Sequence, residues 1–313
     1  MKQSLERISA IALNTYRESV RARILLGLAG VALAASLYSL VVGAYTLNSA
    51  PRVVSDLGTA AISIFGIAVV IVIGATSLHR ELEQKTIFPI LARPVARAEY
   101  LVGKYFGTLL TLGVFVTAYT GVVLCLGAML GGRSPLLLAG LVGGIVVVFG
   151  LSAWRNTSFR TYGPIALGLA LLAVGLFLCG VAPVERRFVA SWSVLAMLEI
   201  AVIGAVATLF SSFSTPFLSA LFTIGLVLVG RNADALASLP VKFFGEFGHA
   251  AGVALSKVVP NLQLYVPPRA LLTGEALDAQ TGRYLLLAAA NALAWSAGLL
   301  AAASAIFRRR DFT

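Results

Sequence analysis

The sequence predicts an all-α integral membrane protein: a polytopic helical bundle of six to eight transmembrane helices, preceded by an amphipathic helix in the membrane plane. Composition is the first observation behind this. Apolar residues make up 59% of the 313 residues and charged residues 12%, and the mean hydropathy is +0.92. Soluble domains average roughly 45 to 50% apolar and about 25% charged. The second is recurrence, because runs of about 20 apolar residues, the length a helix needs to span a bilayer, return along the whole chain. The third is the lack of the alternating pattern of an outer-membrane barrel, which leaves helices as the spanning structure.

The formal charge of +11 would point to nucleic acid in a soluble protein, but basic residues flanking apolar spans set membrane orientation instead. Cys125 and Cys179 fall inside apolar runs, where a thiol behaves as a small hydrophobe; they suggest neither a disulfide framework nor a metal site.

Residues 4–22 read as the amphipathic helix. Leu5, Ile8, Ala12 and Tyr16 recur at helical spacing, and Arg7, Asn14, Arg17, Glu18 and Arg21 mark the polar side, a pattern suited to the interface plane with the arginines near anionic headgroups. The first apolar run follows some two dozen residues that include Glu6 and Glu18 and is too long for a signal-peptide core, so the N-terminus reads as retained.

Eight apolar runs then qualify as candidate spans: 25–47, 57–78, 105–130, 136–154, 164–183, 192–211, 215–230 and 284–306. If 136–154 and 164–183 form one re-entrant hairpin, six crossings remain, with the same placement of the ends. With the N-terminus cytoplasmic, fifteen Lys and Arg flank the spans on that side and four lie in the opposite short loops, which puts both termini in the cytoplasm. Residues 231–283 are too polar and too interrupted by proline to span. Phe243, Phe244, Phe247 and Leu255 suggest interfacial or re-entrant helices in an extracytoplasmic loop.

Between the second and third spans lies HRELEQKTIFPILARPVARAEY, residues 79–100. Glu81, Glu83 and Lys85 stand near the start of a short helical segment, where carboxylates suit the helix dipole, and Pro89 and Pro94 limit its length. A turn between two spans needs only a handful of polar residues. This one keeps Ile87, Phe88, Ile90 and Leu91 among its charges, the composition of a docking face for a soluble partner.

These residues carry a resemblance. Glu81, Glu83 and Thr86, then Arg93, Pro94 and Arg97, then Glu99 and Tyr100, then Gly103, Lys104 and Gly107 resemble the membrane subunits of type-2 ABC transporters. The likeness is greatest to the branch labelled multi-copper-enzyme-maturation or gliding-associated permeases. ALNTYRESVRARIL resembles that family's N-terminal elbow helix, ATLFSSFSTPFLSAL its short turn between later spans, VVPNLQLYVPPR its segment before the last span, and IFRRRDF its C-terminus. Nothing specific is similar between 133 and 190.

The resemblance implies one permease domain over 1–313, with 79–100 as a cytoplasmic coupling helix seated in a separate ATP-binding subunit, itself a dimer. Glu81, Glu83 and Thr86 would make that contact, Arg93 and Arg97 would support it, and the elbow with Arg17 and Arg21 would brace it. It further implies a second permease copy or homologue, an exporter's direction, and a bacterial inner (cytoplasmic) membrane.

No Gly-x-x-x-x-Gly-Lys-Ser/Thr loop occurs in the chain, so ATP hydrolysis is expected in trans, with no cofactor of the chain's own. Glu199 is the one carboxylate well inside an expected span. It is either a group on the transport pathway or a structural carboxylate, protonated or hydrogen-bonded to a neighbouring Ser, Thr or Tyr. His79 and His249 lack partners at metal-ligand spacing. Gly140, Gly143, Gly144 and Gly150 suggest a close helix contact, and Ser211, Ser212, Ser214 and Thr215 a turn whose hydroxyls satisfy backbone. The expected function is that of a permease. Its rivals are a membrane-embedded enzyme, which lacks the necessary cluster of ionisable groups, and a non-transporting anchor or mechanical coupling subunit of a motility or secretion apparatus.

Overall fold

The structure is a computed structural model that describes residues 2–46, 49–83, 96–275 and 280–309. Among these residues it is almost entirely helical, with no strand. The amphipathic helix α1 (Lys2–Arg21) turns into α2 (Ile24–Ala44) at Arg23, whose φ of 59° is left-handed and separates the two helices. There follow α3 (Ala50–Glu83), α4 (Arg97–Leu130), α5 (Pro135–Arg155), α6 (Thr157–Leu178) and α7 (Pro183–Ser211). Next come the short α8 (Pro216–Arg231), α9 (Ala233–Ala237) and α10 (Val241–Val258), a 3-10 turn at Leu262–Tyr265, α11 (Arg269–Thr273) and the long α12 (Thr281–Arg309).

Among the described residues, seven helices are long and apolar enough to cross a membrane: α2, α3, α4, α5, α6, α7 and α12. The run expected as an eighth span is α8, and its 16 residues reach about 24 Å, short of the roughly 30 Å hydrocarbon core. The two helices in 133–190 are each of spanning length, so they need not share one crossing. Several helices also run past their apolar stretches, as α4 does from Arg97 through Lys104 and α7 does from Glu185 through Arg187. Helices end where caps and turns end them, not where hydropathy falls.

The core sits around α4, against which α1, α3, α6, α7 and α12 all pack. Missing Cβ atoms set the closeness of these contacts. On α3, a Cβ at Gly58, Gly66 or Gly74 would lie 2.4 to 2.6 Å from Val123, Ile200 and Ala207 respectively, so an eight-residue period of glycine seats α3 against α4 and α7. Between α4 and α6, a Cβ at Gly121 would stand 2.4 Å from the backbone of Leu171. Gly140, Gly143, Gly144 and Gly150, the glycines expected to make a close contact, have nothing within 4 Å of a Cβ. They lie on α5, which packs almost wholly on α6 and has only 6% of its span buried.

The ends of the bundle are distinguished by their contacts. At the elbow end, α1 meets the beginnings of α4 and α6, and the last turns of α3 and α12 approach α4. At the far end, Arg269 sits between Asp56 at the start of α3 and Glu185 at the start of α7, 2.5 Å from the latter carboxylate. Its guanidinium also stacks 4.0 Å from the Phe188 ring centroid. The stretch from α8 to α11 therefore carries the chain from the elbow end back to the far end as a broken element rather than one helix.

Candidate functional site

The roots of residues 79–100 are the part of the expected coupling element that the structure describes. Glu81 and Glu83 belong to the last turn of α3, not to the start of a separate helix as their charge suggested; the long helix absorbs them because its ladder continues without a breaker until Glu83. Thr86 and Arg93 fall within 84–95, outside the described residues, as does most of the expected docking surface. Arg97 opens α4.

Around that opening the sequence motif acquires physical reasons. A Cβ on Gly103 would come 2.7 Å from the Cβ of Ile11, and one on Gly107 would come 2.6 Å from the carbonyl oxygen of Ala12. The two glycines thus form the bed in which α1 lies against α4, and larger residues would lift the helix off. Glu99 accepts the Ala96 N–H at 3.2 Å and faces Arg7 at 3.5 Å. This is the reciprocal half of a capping box, since Ala96 has no side-chain acceptor to return the bond. The Arg97 guanidinium donates to the carbonyl oxygens of Arg308 (3.2 Å) and Phe307 (3.5 Å), filling acceptors left open at the end of α12.

Lys104 lies just ahead of the span expected to begin at 105. It is buried within α4, where its ammonium donates to the Ser77 hydroxyl at 2.8 Å and the Ser77 carbonyl at 3.1 Å and lies 5.7 Å from the Tyr100 ring centroid. A cleft of about 30 Å³ beside it, lined by Ser77, Thr108, Thr208 and Ser211 among others, has room for ordered water and little more.

The elbow is also fastened to α6. Tyr16 is fully buried and donates its hydroxyl to the Thr161 carbonyl at 3.1 Å. Burial, with Tyr162 beside it, pushes this phenol up to about 12, so it remains a donor at neutral pH. Arg17 holds the Tyr162 hydroxyl from Nε at 3.0 Å and lies 5.5 Å from that ring's centroid. Arg21, the last residue of α1, is exposed. The turn after α7 has the expected character, with Ser211 and Ser212 hydroxyls donating to Thr208 and Leu209 carbonyls at 3.0 and 2.7 Å.

Glu199 has a partner that sequence reading did not supply. Its carboxylate is 1% exposed and receives a two-pronged contact from Arg231, Nε to Oε1 at 2.9 Å and Nη2 to Oε2 at 3.0 Å. The pair joins the middle of α7 to the last residue of α8. Arg231 had been grouped with the loop charges because it follows an apolar run, and only the shortness of α8 brings it to this depth. Nearby, a Cβ on Gly230 would sit 2.7 Å from the Pro260 carbonyl oxygen, and the Tyr265 hydroxyl lies 3.1 Å from Asn291 Oδ1. Glu199 is thereby brought together with Arg231, but not with the residues at the elbow end.

Residues 17–172, about half of the chain, match the family described as ABC-2 family transporter protein. No curated protein matches the chain. The family match runs from the elbow through α2, α3 and α4 into α6, and so takes in the α5–α6 hairpin, where no specific likeness was read. A bundle of seven span-length helices whose first half matches this family identifies the chain as a multi-pass membrane permease of the ABC-2 transporter family.

Proposed function

We infer that the chain is the membrane subunit of an exporter powered by a separate ATP-binding subunit, which docks on residues 79–100. The observation that carries this reading is the rigidity of the roots of that segment. Beside a family match covering it, Arg97 ties the start of α4 to the end of α12, and the Gly103–Gly107 bed fastens α1 to α4. A force applied to 79–100 enters three helices at once. Glu81, Glu83 and Thr86 make the contact, Arg93 and Arg97 support it, and Arg17 and Arg21 brace the elbow beside it. Two such chains, or one with a homologous permease, work over a dimer of ATP-binding subunits, and alternation of access follows from rocking the bundles.

The proposed setting is a bacterial inner membrane with both termini and the elbow end cytoplasmic, and the branch is the multi-copper-enzyme-maturation or gliding-associated one. Concentration of basic residues at the elbow end supports this orientation. The test is purification of the chain from its native membrane after labelling with a photoreactive ATP analogue. Wild type is expected to bring down a labelled subunit, and Glu81→Ala/Glu83→Ala/Thr86→Ala to lose it. Retention by the triple variant would remove these residues from the interface. A labelled subunit whose hydrolysis no added solute or lipid stimulates in liposomes would favour the anchor reading.

A further inference from the structure

We propose that Arg231 is an anion-receiving group on the permeation path, recognising a phosphate or carboxylate carried by the transported molecule; this rests on the permease reading. Depth is the first reason. Glu199 lies about 18 Å by helical rise from the Ser211 end of α7 and about 24 Å from its Pro183 end, which puts the pair near the middle of the span. An ionised group at that depth is costly and functional by default.

The second reason is the break in α8. Regular helix stops at Arg231, and the chain continues through α9, the interrupted α10 and a 3-10 turn. Non-helical backbone at membrane depth persists only where protein buries it or water reaches it. Asn232, Asp234 and Gln263 beside the break are exposed, and Asp234 accepts the Asn261 side-chain amide at 2.8 Å. Interrupted helices are where membrane carriers commonly place their ligand groups.

The third reason fixes the sign of the ligand. Glu199 is 1% exposed and out of reach, whereas the Arg231 side chain is 35% exposed. Its Nε and Nη2 hold Glu199, which leaves the N–H groups of Nη1 for a further acceptor. The accessible half of the pair is therefore positive, and a guanidinium fork suits phosphate and carboxylate oxygens. Glu199 keeps the cation neutralised between ligands, and an arriving anion takes up the remaining N–H groups.

Full-length chain in neutral detergent tests this by thermal unfolding with dihexanoyl phosphatidic acid, dihexanoyl phosphatidylcholine or inorganic phosphate. Phosphatidic acid is expected to stabilise wild type beyond phosphatidylcholine. It should bind Glu199→Gln about tenfold more tightly, because one charge-assisted contact of roughly that worth is released to the ligand. Glu199→Gln/Arg231→Gln, which leaves no unpaired buried charge, should lose the preference. Stabilisation by inorganic phosphate as well would assign the site to soluble anions; phosphatidic acid acting alone would assign it to lipid-like ones. Equal binding by Glu199→Gln and the double variant, or no effect on wild type and Glu199→Gln alike, would overturn the proposal. No ATP or partner enters this assay, so its failure leaves the docking test of 79–100 standing, and the reverse.

Discussion

Gly121 and Gly143 are indistinguishable in the sequence, each a glycine within an apolar helix, yet they occupy opposite situations. A Cβ at Gly121 would meet the Leu171 backbone at 2.4 Å, whereas at Gly143 it would meet nothing within 4 Å. Backbone cannot swing aside as a flexible side chain can, so Gly121→Leu is expected to destabilise by about 1–3 kcal/mol or more. Gly143→Leu should leave the unfolding midpoint of the detergent-solubilised protein within error of wild type. Matching losses in the two variants would refute the packing assigned to α4 and α6. The same limit on reading applies to Glu199. Its burial was legible because a carboxylate interrupts an apolar run, but Arg231 lies 32 positions away beyond a turn. Only three-dimensional placement makes them partners. The Gly-Lys-x-x-Gly motif was legible as a motif, and its reason, the bed under Ile11 and Ala12, was not.

At the scale of elements, the long helices were legible because each must hide some 20 consecutive backbone units from lipid. Their ends were not, since polar turns such as Arg97–Lys104 continue the helix where hydropathy predicts a loop. The charge of 79–100 was plain in the sequence, but assigning Glu81 and Glu83 to a new helix overlooked that nothing stops α3 before Glu83. Arg97 gives this region a measurable link. Arg97→Ala removes donors from the Phe307 and Arg308 carbonyls and should raise amide exchange through the last turn of α12 several-fold, with little change in the middle of that helix. Unchanged exchange there would mean that α12 is held at its end by other contacts.

For the whole molecule, the fold class and the multiplicity of spans followed from composition alone, while the count of eight fell to seven through the shortness of α8. The far-end grouping of Asp56, Glu185 and Arg269 was not legible at all, because its members lie as much as 213 positions apart. It joins the start of α3, the start of α7 and the segment entering α11, and Arg269→Ala would leave two carboxylates facing each other. Partial exposure screens that repulsion, so a loss of about 1–3 kcal/mol is expected. Arg269→Lys should recover less than half of it, since a single ammonium cannot serve both carboxylates as a fork does. Thermal unfolding of the three proteins checks the order wild type, lysine, alanine.

The 34-residue α4 is about 51 Å long at 1.5 Å per residue. Its first turn closes the segment 79–100, and α1 and α12 are fastened beside that turn. Geometry then sets a mechanical ratio: pivoting such a rod by ~5° about one end carries the other through roughly 4 Å, the rise of about three helical residues. A displacement at the elbow end too small to part any of the glycine-bedded contacts would thus arrive at the far end magnified, as a longer arm arrives farther than its hinge.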